Sequence, residues 1–240
     1  MRKNMLLSCL ALLGATAVMA QTTTTHTENS LFSNVGGLYI KGGLNLANVT
    51  TTSDGGVNSA HTRASFNAGL LGDIPLADLF SLQIGAEFTG KGSRAQYNSS
   101  LYTGTYTFRP YYIEVPVDAV LKLPVGPQVA LLLGAGGYAA MGVAGNYVTN
   151  VTSAAGSSTS TSTIKWTDSG DFTTGSENGS GAGVLRRYDF GLNFLLGFEL
   201  GPVQLTAGYD MGLTKIASSS SNNNDEGKNR AFSLNLAFRL

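Results

Sequence analysis

Arg187-Tyr188-Asp189-Phe190-Gly191-Leu192-Asn193-Phe194-Leu195-Leu196-Gly197-Phe198-Glu199-Leu200, then Gly201-Pro202, then Val203-Gln204-Leu205-Thr206-Ala207-Gly208-Tyr209-Asp210-Met211-Gly212-Leu213, is the stretch that decides the fold. In the first arm Tyr188, Phe190, Leu192, Phe194, Leu196, Phe198 and Leu200 are apolar and two apart. Polar residues and glycines fill the places between them, with Leu195 the only large apolar exception. The second arm sets Val203, Leu205, Ala207, Tyr209, Met211 and Leu213 against Gln204, Thr206, Gly208, Asp210 and Gly212. Strand side chains alternate between faces, so each arm has one greasy face and one polar face. Gly201-Pro202 is a tight-turn signal. The stretch therefore predicts a hairpin whose arms exceed the usual strand of a soluble protein.

Which face meets solvent is the functional question. A soluble sheet would bury its greasy face and needs something to cover it. A transmembrane barrel turns that face to lipid and keeps a polar interior, with about 10 residues per segment.

The remainder of the chain repeats the alternation. Leu38, Ile40, Gly42, Leu44 and Leu46 mark a first strand, and Phe66, Ala68 and Leu70 a second. Leu82, Ile84, Ala86 and Phe88 mark a third, and Tyr111, Ile113, Val115, Val117, Ala119, Leu121 and Leu123 a fourth. Val129 to Val143 is the fifth and the weakest in alternation. The opening hairpin supplies the sixth and seventh, and Phe232, Leu234, Leu236, Phe238 and Leu240 the eighth. Short turns are expected at Asp73-Ile74-Pro75-Leu76-Ala77-Asp78, at Pro124-Val125-Gly126-Pro127 and at Gly201-Pro202. Long polar loops are expected at Val49–Thr62, Lys91–Thr107, Gly145–Gly183 and Ile216–Asn229. Strict alternation of long and short connections is the asymmetry of outer-membrane barrels, with short periplasmic turns and long external loops. Both mature termini then lie in the periplasm. Phe66, Phe88, Tyr111, Tyr188 and Phe232 fall near the external strand ends, and Phe80, Phe198 and Phe238 near the periplasmic ends, as aromatic girdles do. Closure pairs the first strand with the eighth, because an open edge in lipid leaves backbone groups unpaired.

The amino terminus reads as a cleavable signal peptide over residues 1–20. Arg2 and Lys3 precede the apolar run Met5–Val18, and Ala17-Val18-Met19-Ala20 supplies the cleavage site. The alternative, a lipoprotein signal ending at Leu7-Ser8-Cys9, leaves too short an apolar segment before the cysteine. Residues 21–35 read as a flexible N-terminal tail and 36–240 as the outer-membrane β-barrel. Cys9 is the only cysteine and leaves with the signal, so disulfide and thiol chemistry are excluded. Charged residues make up 12 % of the chain, Lys plus Arg number 15 and Asp plus Glu 15, and the leader removes two of the basic ones. That balance carries no electrostatic footprint for nucleic acid.

The inward positions hold Lys41, Arg63, Glu87, Glu114, Asp118, Lys122, Arg187, Asp189, Glu199, Asp210 and Arg239. Eight strands enclose a space that side chains fill, and buried charge is costly unless paired. The expectation is an ion-pair network plugging the barrel, with a narrow solute or proton path as the alternative. Gly134-Ala135-Gly136-Gly137-Tyr138-Ala139 outlines a dinucleotide fingerprint, but no acidic residue lies at the required distance and no helical period surrounds it. His61 with Asp54 or Ser59 is the only local catalytic candidate, His26 lying in the tail, and no spacing reads as a metal site. No catalytic, cofactor-binding or metal residue is assigned, and the chain is read as no enzyme.

On these residues the chain resembles the PorT-like outer-membrane β-barrel family of the Bacteroidota. The resemblance covers Gly36 to Leu240. It rests on Gly37-Leu38-Tyr39-Ile40-Lys41-Gly42-Gly43-Leu44-Asn45, Asp73-Ile74-Pro75-Leu76 before Phe80-Ser81-Leu82-Gln83, and Phe88-Thr89-Gly90-Lys91-Gly92. It continues through Tyr112-Ile113-Glu114-Val115-Pro116-Val117, Gly208-Tyr209-Asp210-Met211-Gly212-Leu213 and the tail Phe232–Leu240. It implies an eight-stranded antiparallel up-and-down barrel and no particular activity. The terminal Phe238-Arg239-Leu240 resembles the signal read by the barrel-assembly machinery, with Leu where Phe is commonest. The expected partners are outer-membrane lipid and lipopolysaccharide, that machinery during insertion, and a protein partner at the external loops. The expected role is structural or interactive, with a conduit or secretion accessory, a surface enzyme and a soluble ligand-binding barrel as alternatives.

Overall fold

The computed structural model describes residues 34–50, 60–98, 102–167, 184–214 and 228–240. The expected signal peptide, most of the expected tail, Asp54, Ser59, residues 168–183 and the Ser218–Asn224 run lie outside the described residues.

Eight long strands build the wall: β1 Gly37–Thr50, β2 Arg63–Ala77, β3 Phe80–Gly90, β4 Tyr102–Gly126, β5 Val129–Ser153, β6 Tyr188–Leu200, β7 Val203–Gly212 and β8 Lys228–Arg239. Each pairs antiparallel with the next, and β8 returns to β1 over Tyr39↔Arg239 to Thr50↔Lys228. The sheet is closed, so wall backbone groups find partners without an edge.

The register sets the barrel's shape. Starting at Leu38, the partners run Gly72, Ile84, Val117, Gly137, Leu192, Met211 and Arg230, and arrive at Asn48, ten residues further along β1. With the standard strand rise and spacing, that stagger over eight strands tilts them by about 40°. Such a tube has an interior just wide enough for side chains to fill.

The alternation resolves as the opening hairpin requires. Phe190, Phe194, Leu196 and Phe198 of β6 point away from the axis and are 43–53 % exposed, while Asp189 is fully buried. Leu44, Phe66, Leu70, Ile113, Val117, Leu234 and Leu236 also face outward, and Asn45, Asn67, Glu114, Asp118 and Asn235 inward. Burying polar groups and exposing aliphatic ones is the reverse of a water-soluble protein, and it is stable where hydrocarbon surrounds the wall. A soluble ligand-binding barrel is thereby excluded.

Several connections differ from the sequence expectation. Asp73-Ile74-Pro75-Leu76-Ala77 is not a turn but the end of β2, and only Asp78 and Leu79 turn the chain. Pro75 stands where the pairing slips between Pro75 and Ala77, the kind of irregularity at which a strand accepts proline. Likewise β4 extends through Pro124 to Gly126, and Pro127-Gln128 makes the turn. At the opposite end, much of the expected loop Lys91–Thr107 is strand. Arg94–Asn98 pairs with Thr103–Thr107, and Ala60-His61 adds to Arg94-Ala95. The first half of the Gly145–Gly183 loop is strand too, because β5 continues to Ser153 and Gly156–Thr163 folds back on it. Both β4 and β5 are 25 residues long against 13 for β6, so they carry a multi-stranded ribbon beyond the barrel rim. Phe108 and Tyr147 stack across this ribbon at 6.1 Å.

Candidate functional site

The lumen is organised in three tiers. Nearest the short-turn end, Lys122 Nζ lies 2.6 Å from Asp73 Oδ2 and 2.8 Å from Glu199 Oε2. The Gln204 amide donates to Asp73 at 3.4 Å and to Glu199 at 3.1 Å, and Gln83 donates to Gln204 at 3.3 Å. Five side chains from β2, β3, β4, β6 and β7 thus knot the tube across its width. Tyr39, Leu71 and Ala237 pack against each other as a small apolar layer.

In the middle tier Lys41 pairs with Glu87 at 2.7 Å. Asn67 donates to Asn45 at 2.6 Å and to Asn235 at 2.8 Å, and Asn45 donates to Thr89 at 2.8 Å. A cavity of about 30 Å³ lies here, with Glu87, Glu114, Asp118 and Asp210 in its lining, a volume on the scale of one or two water molecules. Asp118 Oδ1 is buried without a hydrogen-bond partner.

Nearest the long-loop end stands Lys91. Its ammonium pairs with Glu114 at 2.5 Å and lies 3.7 Å from Asp189 and 4.0 Å from Asp210. It sits 3.9 Å from the centre of the Tyr138 ring, a cation–π contact. Tyr138 and Asn229 both donate to Asp189, at 3.2 and 2.8 Å. Above this tier a cap closes the mouth. Trp166 meets Tyr112 edge-on at 5.4 Å, and the buried Ile164 donates its N–H to Gly145 at 3.0 Å. Lys165–Thr167 pairs with Val184–Arg186 in parallel, seating Leu185 as a second buried apolar residue.

Of the expected inward charges, Lys41, Glu87, Glu114, Asp118, Lys122, Asp189, Glu199 and Asp210 all project into the lumen. Arg63 stands at the long-loop rim, half-buried, donating to Lys91 O at 3.0 Å. Arg187 is half-buried where the cap meets β6. Arg239 lies at the other rim, against Val35 O at 3.5 Å. Asp73 and Lys91 were not among the expected lumen residues, yet each is the partner that completes a tier. Both sit on the inward alternation: Asn67, Gly69, Leu71 and Asp73 on β2, and Gln83, Gly85, Glu87 and Thr89 on β3 with Lys91 just past its end. Extending those series past the turn and loop residues would have found them. The glycine run of β5 is explained by packing, because a Cβ at Gly134 would meet Leu195 and one at Gly136 would meet Val117 O and Asp118. His61 is exposed on its short strand, opposite Arg94, and Asp54 and Ser59 lie outside the described residues.

The architecture can be set beside known proteins. No curated protein sequence matches the chain. Among solved structures, the attachment invasion locus protein Ail of Yersinia pestis is 14 % identical, covering 86 % of this chain and 100 % of that one, with a TM-score of 0.36. Neisserial surface protein A is also 14 % identical, covering 85 % of this chain and 97 % of that one, with a TM-score of 0.41. The NanC porin is 10 % identical over 85 % of this chain and 100 % of that one, with a TM-score of 0.26. The family described as outer membrane protein beta-barrel domain matches residues 19–218. A closed eight-stranded wall with apolar residues outside and paired charges inside is therefore the barrel of a protein that belongs to the outer membrane protein beta-barrel domain family.

Proposed function

We propose that this outer-membrane barrel is an interaction protein, a plugged pedestal that presents the ribbon beyond its rim to a partner outside the cell. The observation that carries the reading is the contrast between lumen and ribbon. Three ion-paired tiers and an apolar cap obstruct the tube, while β4 and β5 run to 25 residues and project. The outermost strand Gly156–Thr163 is almost wholly exposed, and among the described residues it pairs only with β5. Its free backbone edge is a template for an added strand from a protein partner. In this reading the long-loop end faces outward and both termini face the periplasm, after removal of the signal peptide at residues 1–20. The motif series from Gly37 to Asn45 and from Tyr112 to Val117 supports placing the chain among PorT-like members of the Bacteroidota. Phe238-Arg239-Leu240 would be read by the barrel-assembly machinery.

Partner capture with the full chain and with a chain lacking Gly145–Gly183 tests the reading. The intact protein should retain a specific partner that the shortened barrel loses. Equal recovery by both forms would sink it. A narrow cation conduit is the second reading, favoured by the surplus of lumen carboxylates over Lys41, Lys91 and Lys122. Planar-bilayer recordings decide between them: a stable cation-selective conductance from the purified protein would favour the conduit, and none would favour the plugged barrel.

A further inference from the structure

The barrel wall has a cleft that the interior network does not explain. Strands β2 and β3 pair up to Asn67↔Thr89, and the next bridge between these two parts of the chain is His61↔Arg94. Between the two bridges the chain splays. Lys91 N–H turns away to Pro110 O at 3.1 Å, and Phe108 N–H to Ser93 O at 2.9 Å. The opening is a cleft of about 350 Å³ lined by Thr62, Arg63, Ala64, Arg94, Thr107 and Arg109. That volume lies within the roughly 300–1,000 Å³ range of small-ligand sites.

Among the described residues half the lining is arginine, and none of it is acidic. Among the described residues no carboxylate lies within ion-pair distance of Arg63, Arg94 or Arg109. Among the described residues Arg63 spends one donor, on Lys91 O at 3.0 Å. Arginines bordering one cleft, with no carboxylate partner among the described residues, favour an anion there. Planar forks fit phosphate oxygens better than ammonium groups do.

Position then selects the anion's carrier. The cleft residues Ala64 and Arg109 lie two positions from Phe66 and Tyr111 on the same strands, so they share a face with them, and Phe66, Phe88 and Tyr111 form one aromatic cluster with ring centres 5.3–6.2 Å apart. Aromatic rings on a barrel's outer face lie at headgroup depth, with acyl chains beneath them. A cationic cleft bordering such a cluster meets the phosphate of a lipid whose chains run down the wall.

We propose that Arg63, Arg94 and Arg109 form a binding site for the phosphate of a phosphorylated glycolipid of the outer leaflet, with Phe66, Phe88 and Tyr111 receiving its proximal acyl chain. The outer-leaflet assignment rests on the orientation given under the proposed function. Binding itself is read in detergent and does not depend on that orientation.

The test uses the full refolded chain in detergent micelles. Calorimetric titration compares lipid A, the same lipid stripped of its phosphates, and inorganic phosphate. The unaltered protein should bind lipid A, and lose about tenfold in affinity for each guanidinium removed in Arg94→Gln and Arg94→Gln/Arg109→Gln. The dephosphorylated lipid should bind as weakly to the unaltered protein as lipid A does to the double variant. Arg94→Lys/Arg109→Lys, which keeps the charge, should recover only part of the affinity. Heat-modifiable gel mobility verifies that each variant is folded. Equal lipid A binding by all forms overturns the proposal, and so does inorganic phosphate binding as tightly as lipid A. Labelling of a Ser158→Cys variant on intact cells with a membrane-impermeant maleimide reports orientation separately. Unlabelled cells with normal lipid A binding would refute the outward orientation and leave the phosphate site standing.

Discussion

Lys122 Nζ sits between Asp73 Oδ2 at 2.6 Å and Glu199 Oε2 at 2.8 Å, with all three side chains buried. One cation serves two carboxylates drawn from strands on different sides of the tube. Removing the cation therefore leaves two buried charges facing each other. Lys122→Met should destabilise the barrel by about 3–5 kcal/mol, the cost of breaking a buried pair by removing one partner. Urea unfolding in micelles, followed by gel mobility, should show the loss. A shift below about 1 kcal/mol would mean that water reaches this tier.

Asp118 predicts the opposite sign. Its Oδ1 is buried and lacks a partner, and the cavity it lines also holds Glu87, Glu114 and Asp210. Asp118→Asn removes a charge from an already acidic tier at almost constant volume. The variant should gain at least about 1 kcal/mol at neutral pH, because the cost of an unpaired buried charge is relieved. The unfolding midpoint in the same urea series measures it. A loss of stability would show that Asp118 holds a counter-charge.

Depth along the outer face gives a third prediction. Phe194 is at the middle of β6 and Leu200 at its short-turn end, and both are exposed. Phe194→Arg should cost about 2–4 kcal/mol in a bilayer, and Leu200→Arg about 0–1 kcal/mol. Refolding equilibria in vesicles read the difference. Equal costs would place the hydrocarbon midplane elsewhere on the wall.

The cap has a built-in reporter. Trp166 is the single tryptophan of the chain, and it packs on Tyr112 and over Gly142. A methyl group at Gly142 would run into the indole ring. Gly142→Ala should shift tryptophan emission to longer wavelength and increase quenching by iodide, while gel mobility stays unchanged. Unaltered emission would mean that the indole is not seated in the barrel mouth.

These residues also show what could be read from the chain alone. The opening hairpin was legible because Phe190, Phe194 and Phe198 oppose Asp189, Asn193 and Glu199 with almost no exception, and lipid contact demands that pattern. Asp73 and Pro75 obscured the end of β2, since both are turn formers in water. Here one is a lumen ion and the other sits at a register slip. Lys91 lies beside Gly90 and Gly92 and read as loop, although its alternation with Glu87 and Thr89 continued. Gly92 adopts φ 117° where a Cβ would strike Phe108 O, so the chain bends there while Lys91 still points inward. The ribbon strand Gly156–Thr163 carries only Gly, Ser and Thr. With no apolar face it offers no period to detect. The arginine cleft was hidden for a different reason: Arg63, Arg94 and Arg109 are far apart in the chain and meet only through the splay of the wall.

The offset that carries Leu38 round to Asn48 also limits how this protein can change length. Paired residues share a face, so the circuit must close with even parity. Deleting one residue within a wall strand would set lipid-facing and lumen-facing side chains out of phase from that point on. Val143 shows the sole kind of exception, an odd residue swallowed by a bulge between Ala144 and Gly142 where they meet Tyr111 and Tyr112. Insertions and deletions in the wall should therefore survive in twos, or at bulges, while the ribbon can grow or shrink by any number.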